Sequence, residues 1–351
     1  MADSPHTDQR PQGLVIRLRH GRLSCRVAPR TLAVGSALLI LCLAIGAVSL
    51  ATGTYPVSIA DVVRALFGHG EDMVRMIVTE WRLPRIVLAL LLGGALGMSG
   101  AIFQSLTRNP LGSPDIIGFA AGAHSGALIV ILLLSGGSYE TAAGALAGGI
   151  LTALAVYLLA WRRGVQGFRL IVVGIAVSAM LAALNAWMIR KADLQVAMSA
   201  ALWSAGSLNG LGTEQLLPVI VTLCLVVPPA LLLARPLRQM EMGDDLARAS
   251  GVAVNRVRLC LMALGVALTA IVTAVAGPIA FIALAAPQIA RRLAHAAAMP
   301  LIPSALTGSL LLLGADWAAQ HAFTTQLPVG IMTVSIGGLY FLWLIAREGR
   351  K

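Results

Sequence analysis

Residues 81–123 read WRLPRIVLALLLGGALGMSGAIFQSLTRNPLGSPDIIGFAAGA, and this stretch decides the fold. Its first four residues after Trp81, RLPR, open a long apolar segment with glycines at 93, 94, 97 and 100. The segment breaks at 109–114 (NPLGSP) before the chain becomes apolar again. Small residues let membrane helices pack closely, and irregular backbone near the membrane is tolerated only against protein or a water-filled cavity. The stretch therefore predicts a passage through a membrane.

The composition extends this interpretation to the whole chain. Of 351 residues, 58% are hydrophobic and 12% are charged, whereas soluble domains carry about 25% charged residues. No run shows the strict alternation of a barrel strand. We therefore predict an all-α polytopic membrane protein with ten transmembrane helices of about 20 residues each.

Two of the predicted membrane segments contain breaks. Gly277-Pro278 interrupts the seventh span, and 279–286 is predicted to be a re-entrant stretch that leads into a half-helix. Two short helices outside the membrane are predicted within 57–67 and 193–212. The predicted spans are 32–52, 84–104, 115–134, 142–161, 169–189, 214–234, 259–276, the half-helix from 287 to 292, 301–320 and 327–346.

The net charge of +11 is explained by membrane orientation better than by nucleic-acid binding. With these spans, 20 of the 26 Lys and Arg residues lie on one side, as the positive-inside rule requires. Both termini are then cytosolic. Residues 1–31 are predicted to be a loose cytosolic tail, and 32–351 the membrane domain.

A weak internal repeat relates the two halves of the chain. Span 2 and span 7 run in opposite directions, so the repeat is inverted, and inverted repeats with broken helices are typical of transporters. Chance matches between Leu/Ala-rich helices are common, so the repeat is a hypothesis. A shift of 173 residues aligns Arg85 with Arg258, Leu111 with Leu284, Pro114 with Pro287 and Ile116 with Ile289.

No pattern indicates an enzyme. ATP hydrolysis by a P-loop requires a lysine after a glycine-rich loop, and neither Lys191 nor Lys351 follows one. There is no His-Glu-x-x-His zinc motif and no Gly-x-Ser-x-Gly motif, so no catalytic residue, metal site or cofactor is predicted. Four cysteines without a Cys-x-x-Cys pair are interpreted as packing residues: Cys25, Cys42, Cys224 and Cys260.

Ionisable groups inside the membrane would favour an ion-coupled secondary transporter, which is the alternative function. The candidates are Asp115 beside the first break and Asp316 near the outer end of span 9. Each is expected to bond nearby backbone or to cap a helix. His124, alone in an apolar segment, is expected to be a packing residue.

The internal loop 235–258 carries a more specific signal. Residues 242–252, MGDDLARASGV, predict a short helix that a glycine terminates. Its apolar and small residues could dock in a groove of a soluble partner. The alternative is an ordinary solvated loop.

Four motifs in order resemble the membrane subunits of iron–siderophore and cobalamin ABC importers, the FecCD-type permeases. They are the stretch from Arg82 to Ala123, GDDLARASGV, GPIAFIALAAPQIARRL and LPVGIMTVSIGGLYFLWLI. The segments 178–185 and 202–210 most resemble permeases for ferric catecholates such as enterobactin.

The resemblance implies a bacterial cytoplasmic (inner) membrane permease with several partners. These are a second permease subunit (the same or a homologous chain), two ABC ATPase subunits and an extracytoplasmic solute-binding protein. The implied cargo is a ferric siderophore, although cobalamin or haem is not distinguished.

The resemblance also implies roles for individual residues. Two departures from the family pattern lie near the outer end of span 9 and before span 10: the region where an arginine is common reads Ala318-Ala319-Gln320-His321, and Gln326 stands where an acidic residue is often found. The implied sites are Arg82 and Arg85 for binding-protein docking, Asn109, Leu111, Gly167 and Phe168 at the cytosolic gate, and Gly243, Asp244, Asp245, Leu246, Arg248 and Gly251 for ATPase coupling.

Overall fold

Helices form most of the chain in the computed structural model, which describes residues 14–18, 23–115, 118–161, 167–323 and 325–348. A π-helical segment, Ile77–Arg82, joins α3 to α4, and a second, Val130–Leu134, extends α5. The helices are α1 (Pro29–Ala51), α2 (Ile59–Leu66), α3 (Asp72–Met76), α4 (Leu83–Thr107), α5 (Phe119–Ile129), α6 (Ser138–Ala160), α7 (Gly167–Lys191), α8 (Leu194–Ser204), α9 (Thr213–Leu232), α10 (Ala234–Glu241), α11 (Asp244–Ala249), α12 (Val254–Ala276), α13 (Ile282–Ala294), α14 (Leu301–His321) and α15 (Val329–Glu348).

The segment before α1 contains a small hairpin where a loose tail was expected. Strand β1 (Leu14–Leu18) pairs antiparallel with β2 (Leu23–Val27), and Leu14 lies opposite Val27. Both strands contain β-branched residues, which favour extended backbone. The rest of the predicted tail before residue 14 lies outside the described residues.

Among the described residues, seven helices are long and apolar enough to cross a membrane. Two shorter apolar helices, Phe119–Leu134 and Val329–Tyr340, add to them. The helical membrane class is thus confirmed, whereas the count of ten spans stays a prediction. Helices α2 and α8 lie within the two predicted short helical regions, and their location outside the membrane stays a prediction. The helical backbone is continuous from Asp72 to Thr107, so the helix begins 12 residues before the predicted start of span 2 at residue 84, and that span boundary stays a prediction.

Helix α4 is the centre of the fold. In an 18-residue apolar segment of the helix Asp72–Thr107, which contains α4, 78% of the residues are buried inside the protein. The corresponding fractions are 17% for α1 and 11% for α9. The predicted close packing of its glycines is confirmed against α14, because a Cβ added to Gly97 would lie 2.1 Å from the Ser304 carbonyl oxygen. A Cβ on Gly93 would lie 2.5 Å from the Gly308 oxygen. Side chains larger than hydrogen would therefore separate the two helices.

Both predicted breaks are present. Helix α4 ends at Arg108, which has the left-handed φ of 49°, and the Asn109 side chain then accepts a hydrogen bond from the Leu111 backbone N–H at 2.9 Å. The second break begins at Gly277 (φ 72°), and α13 follows Phe281 (φ 68°). The Ser207 N–H donates to the Ala276 carbonyl at 2.7 Å, so protein satisfies the freed backbone there.

Helices α4 and α12 run antiparallel. The Ser99 hydroxyl on α4 donates to the Gly265 carbonyl on α12 at 2.7 Å, while the end of α4 lies near the start of α12. This orientation agrees with an inverted repeat. The repeat itself stays a prediction, and its aligned residue Ile116 lies outside the described residues.

Candidate functional site

An ion pair joins α4 to α14 near the start of α4. The Arg85 Nε and Nη2 donate to the two Asp316 carboxylate oxygens at 2.9 and 2.7 Å. The Arg85 side chain is 17% exposed and that of Asp316 only 4%. The expectation that Asp316 caps a helix or bonds backbone is wrong, because a carboxylate in this apolar helix requires a cation and Arg85 supplies it.

Arg82 lies one turn earlier and donates hydrogen bonds to the last turn of α1 and to the connection that follows it. Its Nη1 donates to the Leu50 carbonyl at 2.7 Å, and its Nη2 donates to the Tyr55 carbonyl at 2.6 Å. Both arginines line a cleft of about 320 Å³, together with Asp316 and three further polar residues of α14 and the loop after it. These three are Gln320, His321 and Gln326.

The two predicted docking arginines therefore share one cleft with the positions that depart from the family pattern. A guanidinium has five N–H groups, so Arg82 retains donors for another acceptor after its two carbonyl bonds. A partner carboxylate would have to compete with Asp316 for Arg85. Docking stays a prediction for both residues.

The predicted gate residues lie in two elements. Asn109 and Leu111 form the turn that follows α4, and the Leu111 side chain is 39% exposed. Gly167 is the first residue of α7, and Phe168 beside it is 81% exposed. Their role as a gate stays a prediction.

The predicted short helix of the internal loop is present as α11. It lies between Gly243 (φ 127°) and Gly251 (φ 87°), and both backbone conformations favour glycine. Leu246 is 57% exposed, so the expected apolar surface is accessible. The Asp245 side chain is fully exposed and pairs with Arg248 at 2.8 Å.

Asp244 binds arginines from two long helices as well as from its own. Arg258 of α12 donates Nη2 to both Asp244 carboxylate oxygens at 2.9 Å, and Arg108 at the end of α4 also donates to this carboxylate. Arg248 Nη2 is 3.9 Å from Asp244 Oδ2. Burial raises the pKa of Asp244, but the hydrogen bonds and charges of Arg258 and Arg108 outweigh this effect and hold the pKa below its usual value.

Glu241 makes a second link beside Asp244. It accepts hydrogen bonds from the Ser105 hydroxyl on α4 and, at 3.3 Å, from the Met299 backbone N–H that precedes α14. Arg108 Nε also donates to the Met240 carbonyl at 3.1 Å. No motif indicated these contacts, because they join residues more than 50 positions apart, and only the charge of Asp244 and its neighbours hinted at them.

The larger cavity, about 1050 Å³, is lined by parts of α6, α8, α9 and α12. Its lining includes Trp203, Gln195 and Asn209, and Glu214 is the one charged residue among the described residues that line it. The Tyr139 hydroxyl donates to Glu214 at 3.0 Å. In the described part of the chain, no group of three or more His, Cys, Asp or Glu side chains could hold a metal ion.

Comparison with known proteins identifies the family. A sequence model described as the FecCD transport family matches residues 38–347. The chain belongs to the FecCD transport family. FecCD proteins are a family of transport proteins.

Among FecCD relatives, the Escherichia coli ferric enterobactin transport system permease protein FepG is 51% identical, over 90% of this chain and 96% of FepG. The Dickeya dadantii achromobactin permease protein CbrC is 37% identical over 95% of this chain and 97% of its own. A solved metal-chelate type ABC transporter in an inward-facing conformation matches with a TM-score of 0.80 and 26% identity, over 90% of this chain and 99% of that one.

Proposed function

We propose that the chain is the permease subunit of an ABC importer that moves a ferric siderophore across the bacterial cytoplasmic membrane. The observation that carries the proposal is the 51% identity with the ferric enterobactin permease across nearly the full length of both proteins. A catecholate cargo fits this relative best, since the achromobactin and hydroxamate relatives are 36–37% identical.

Transport would need several partners. Two separate ABC ATPase subunits would bind α11 and its flanking glycines, and a solute-binding protein would deliver cargo at the Arg82–Arg85 cleft. A second permease, identical or homologous, would complete the pathway. Both termini would lie in the cytosol, and residues 32–351 would form the permease domain.

The permease would make no covalent change to its cargo. A wall with few charges suits this task, because released cargo must leave as easily as it enters. The residues of the 1050 Å³ cavity are mostly apolar or uncharged polar, with Glu214 as the one charge in the part of its wall that the structure describes. ATP-driven motion of α11 would alternate access by rearranging the turn at Asn109–Leu111 and the start of α7.

Reconstitution tests the proposal directly. The chain, its ATPase and its binding protein in proteoliposomes should take up radiolabelled iron bound to a catecholate siderophore, and vanadate should stop the uptake. A panel of catecholate, hydroxamate and citrate complexes would define the cargo. Uptake that needs no ATPase would overturn the proposal.

An ion-coupled transporter is the alternative, and Asp115, in the loop between α4 and α5, is its candidate carboxylate. Proton coupling requires Asp115→Asn to abolish uptake, and an uncoupler to do the same. The ABC proposal expects Asp115→Asn to retain vanadate-sensitive uptake.

A further inference from the structure

Asp244 links α11 to two long buried helices, α4 and α12, through their arginines. One carboxylate receives Arg258 from the first turns of α12 and Arg108 from the end of α4. Arg108 simultaneously donates to the Met240 carbonyl, so the end of α4 holds both sides of the α10–α11 connection. Each link is a charge-assisted hydrogen bond or one to a backbone carbonyl.

We propose that Asp244 is a positioning residue that makes α4 and α12 follow every displacement of α11. The proposal rests on the proposed function, in which the ATPases move α11. It assigns Asp244 to transmission of this motion inside the permease and not to the ATPase contact itself.

Burial distinguishes this ion pair from ordinary surface pairs, which contribute little. The Arg258 side chain is 9% exposed and that of Asp244 is 28% exposed. Removal of one partner from a buried pair leaves an uncompensated charge, which is strongly unfavourable. By contrast, the Asp72–Arg75 pair is 2.8 Å long, but its Asp72 side chain is 90% exposed.

The links continue from Asp244 to the far end of α4. Helix α4 packs closely against α14 where Gly97 approaches Ser304. Near the start of α4, Arg85 pairs with Asp316 of α14. A displacement of Arg108 therefore acts on a rigid, buried helix and not on a loop. The hypothesised repeat pairs Arg85 with Arg258, and each of these arginines binds one aspartate through both carboxylate oxygens.

The test is Asp244→Asn in the full reconstituted transporter, with Asp72→Asn as a matched control. Iron uptake and ATP hydrolysis are measured in the same vesicles. We expect Asp244→Asn to lower uptake per ATP hydrolysed by about tenfold, the scale of losing a hydrogen bond to a charged group. Asp72→Asn should stay within about twofold, because an exposed pair contributes little.

A structural defect would remove uptake and ATP hydrolysis in equal proportion, and this result for Asp244→Asn would overturn the proposal. If Asp244→Asn does not assemble into a transporter, Arg108→Gln tests the proposal in its place, because it removes one partner of Asp244 and leaves the buried Arg258–Asp244 pair intact. Arg108→Gln should also lower uptake per ATP, and an unchanged ratio would overturn the proposal.

A double variant provides a further check, because residues that act together are non-additive. Asp244→Asn with Arg108→Gln should lose less uptake per ATP than the product of the two single losses, because both changes break the same Arg108–Asp244 contact while Arg108→Gln also removes the bond to the Met240 carbonyl. If the two single losses in uptake per ATP simply multiply in the double variant, the residues act independently, which would contradict the shared Arg108–Asp244 contact. If wild-type vesicles show no ATP-dependent uptake, the proposed function fails. If wild-type vesicles transport and the Asp244 variants keep the wild-type ratio, only the positioning role fails.

Discussion

The change Gly97→Ala tests the packing at the centre of the fold. The new Cβ would lie 2.1 Å from the Ser304 carbonyl oxygen and 2.9 Å from its carbonyl carbon. Both are backbone atoms of α14, so no side-chain rotation can remove the clash, and the two helices must separate. Overpacking of this kind costs about 1–3 kcal/mol.

A matched change on α14 should have the opposite effect. Gly314 lies inside α14, and a Cβ there would meet no atom within 4 Å. Alanine is favoured over glycine in a helix interior by up to about 1 kcal/mol. Gly314→Ala should therefore be neutral or stabilising, although both variants add the same methyl group.

Thermal unfolding of the purified protein in detergent measures the difference. A loss of 1 kcal/mol lowers Tm by roughly 2–4 °C for 150–250 residues and by less for a larger chain such as this one of 351 residues, so Gly97→Ala should lower Tm by a few degrees. Gly314→Ala should leave Tm equal or higher. Equal shifts for the two variants would refute the close approach of α4 and α14.

Three further predictions concern charged residues. Asp316→Asn should lower Tm, and Asp316→Asn combined with Arg85→Gln should recover part of the loss, because the single change leaves Arg85 buried without its counter-charge; a double variant with additive losses would contradict the pairing. Arg82→Glu should weaken binding-protein affinity measured by pull-down or calorimetry, and Arg82→Gln should weaken it less; unchanged affinity would remove Arg82 from the docking site. At pH values above the usual Asp pKa of about 3.9, the charged Asp244 side chain stabilises the fold, and this stabilisation is lost only as pH falls through its lowered folded pKa. The Tm difference between wild type and Asp244→Asn should therefore be constant from about pH 8 to 5. A decrease in this difference already near pH 6 would contradict the contact with Arg258.

Local features were predictable from the sequence because their causes are local. The glycines of α4 predicted a close helix contact, and Gly277 predicted the second break. Gly251 predicted the end of α11. In each case a single residue type restricts the backbone or the space beside it, so one position suffices for the inference.

The ion pairs were not predicted, since their partners are distant in sequence. Arg85 and Asp316 are 231 residues apart, and Arg108 and Asp244 are 136 apart. A signal for the first pair was present: the charge distribution put Arg85 and Asp316 at the same end of their spans, and an aspartate in an apolar helix requires a counter-charge. The continuous helix from Asp72 into α4 was not predicted because Pro84 was interpreted as the start of the apolar segment, whereas the π-helical segment Ile77–Arg82 precedes α4 directly and the helical backbone continues through the proline.

Burial divides the helices into two groups that should behave differently in transport. The apolar windows of α4, α14 and α12 are 78%, 56% and 50% buried, whereas those of α7 and α9 are 17% and 11% buried. In the first group, glycines of α4 contact backbone atoms of α14 directly, and ion pairs lie at both ends of α4. This group is therefore expected to move as one body. The second group exposes apolar surface that, under the proposed function, lipid or a second permease would cover. Under the proposed function, displacement of Asp244 would then tilt the first group as a whole, and the pathway would open at its boundary with helices such as α7.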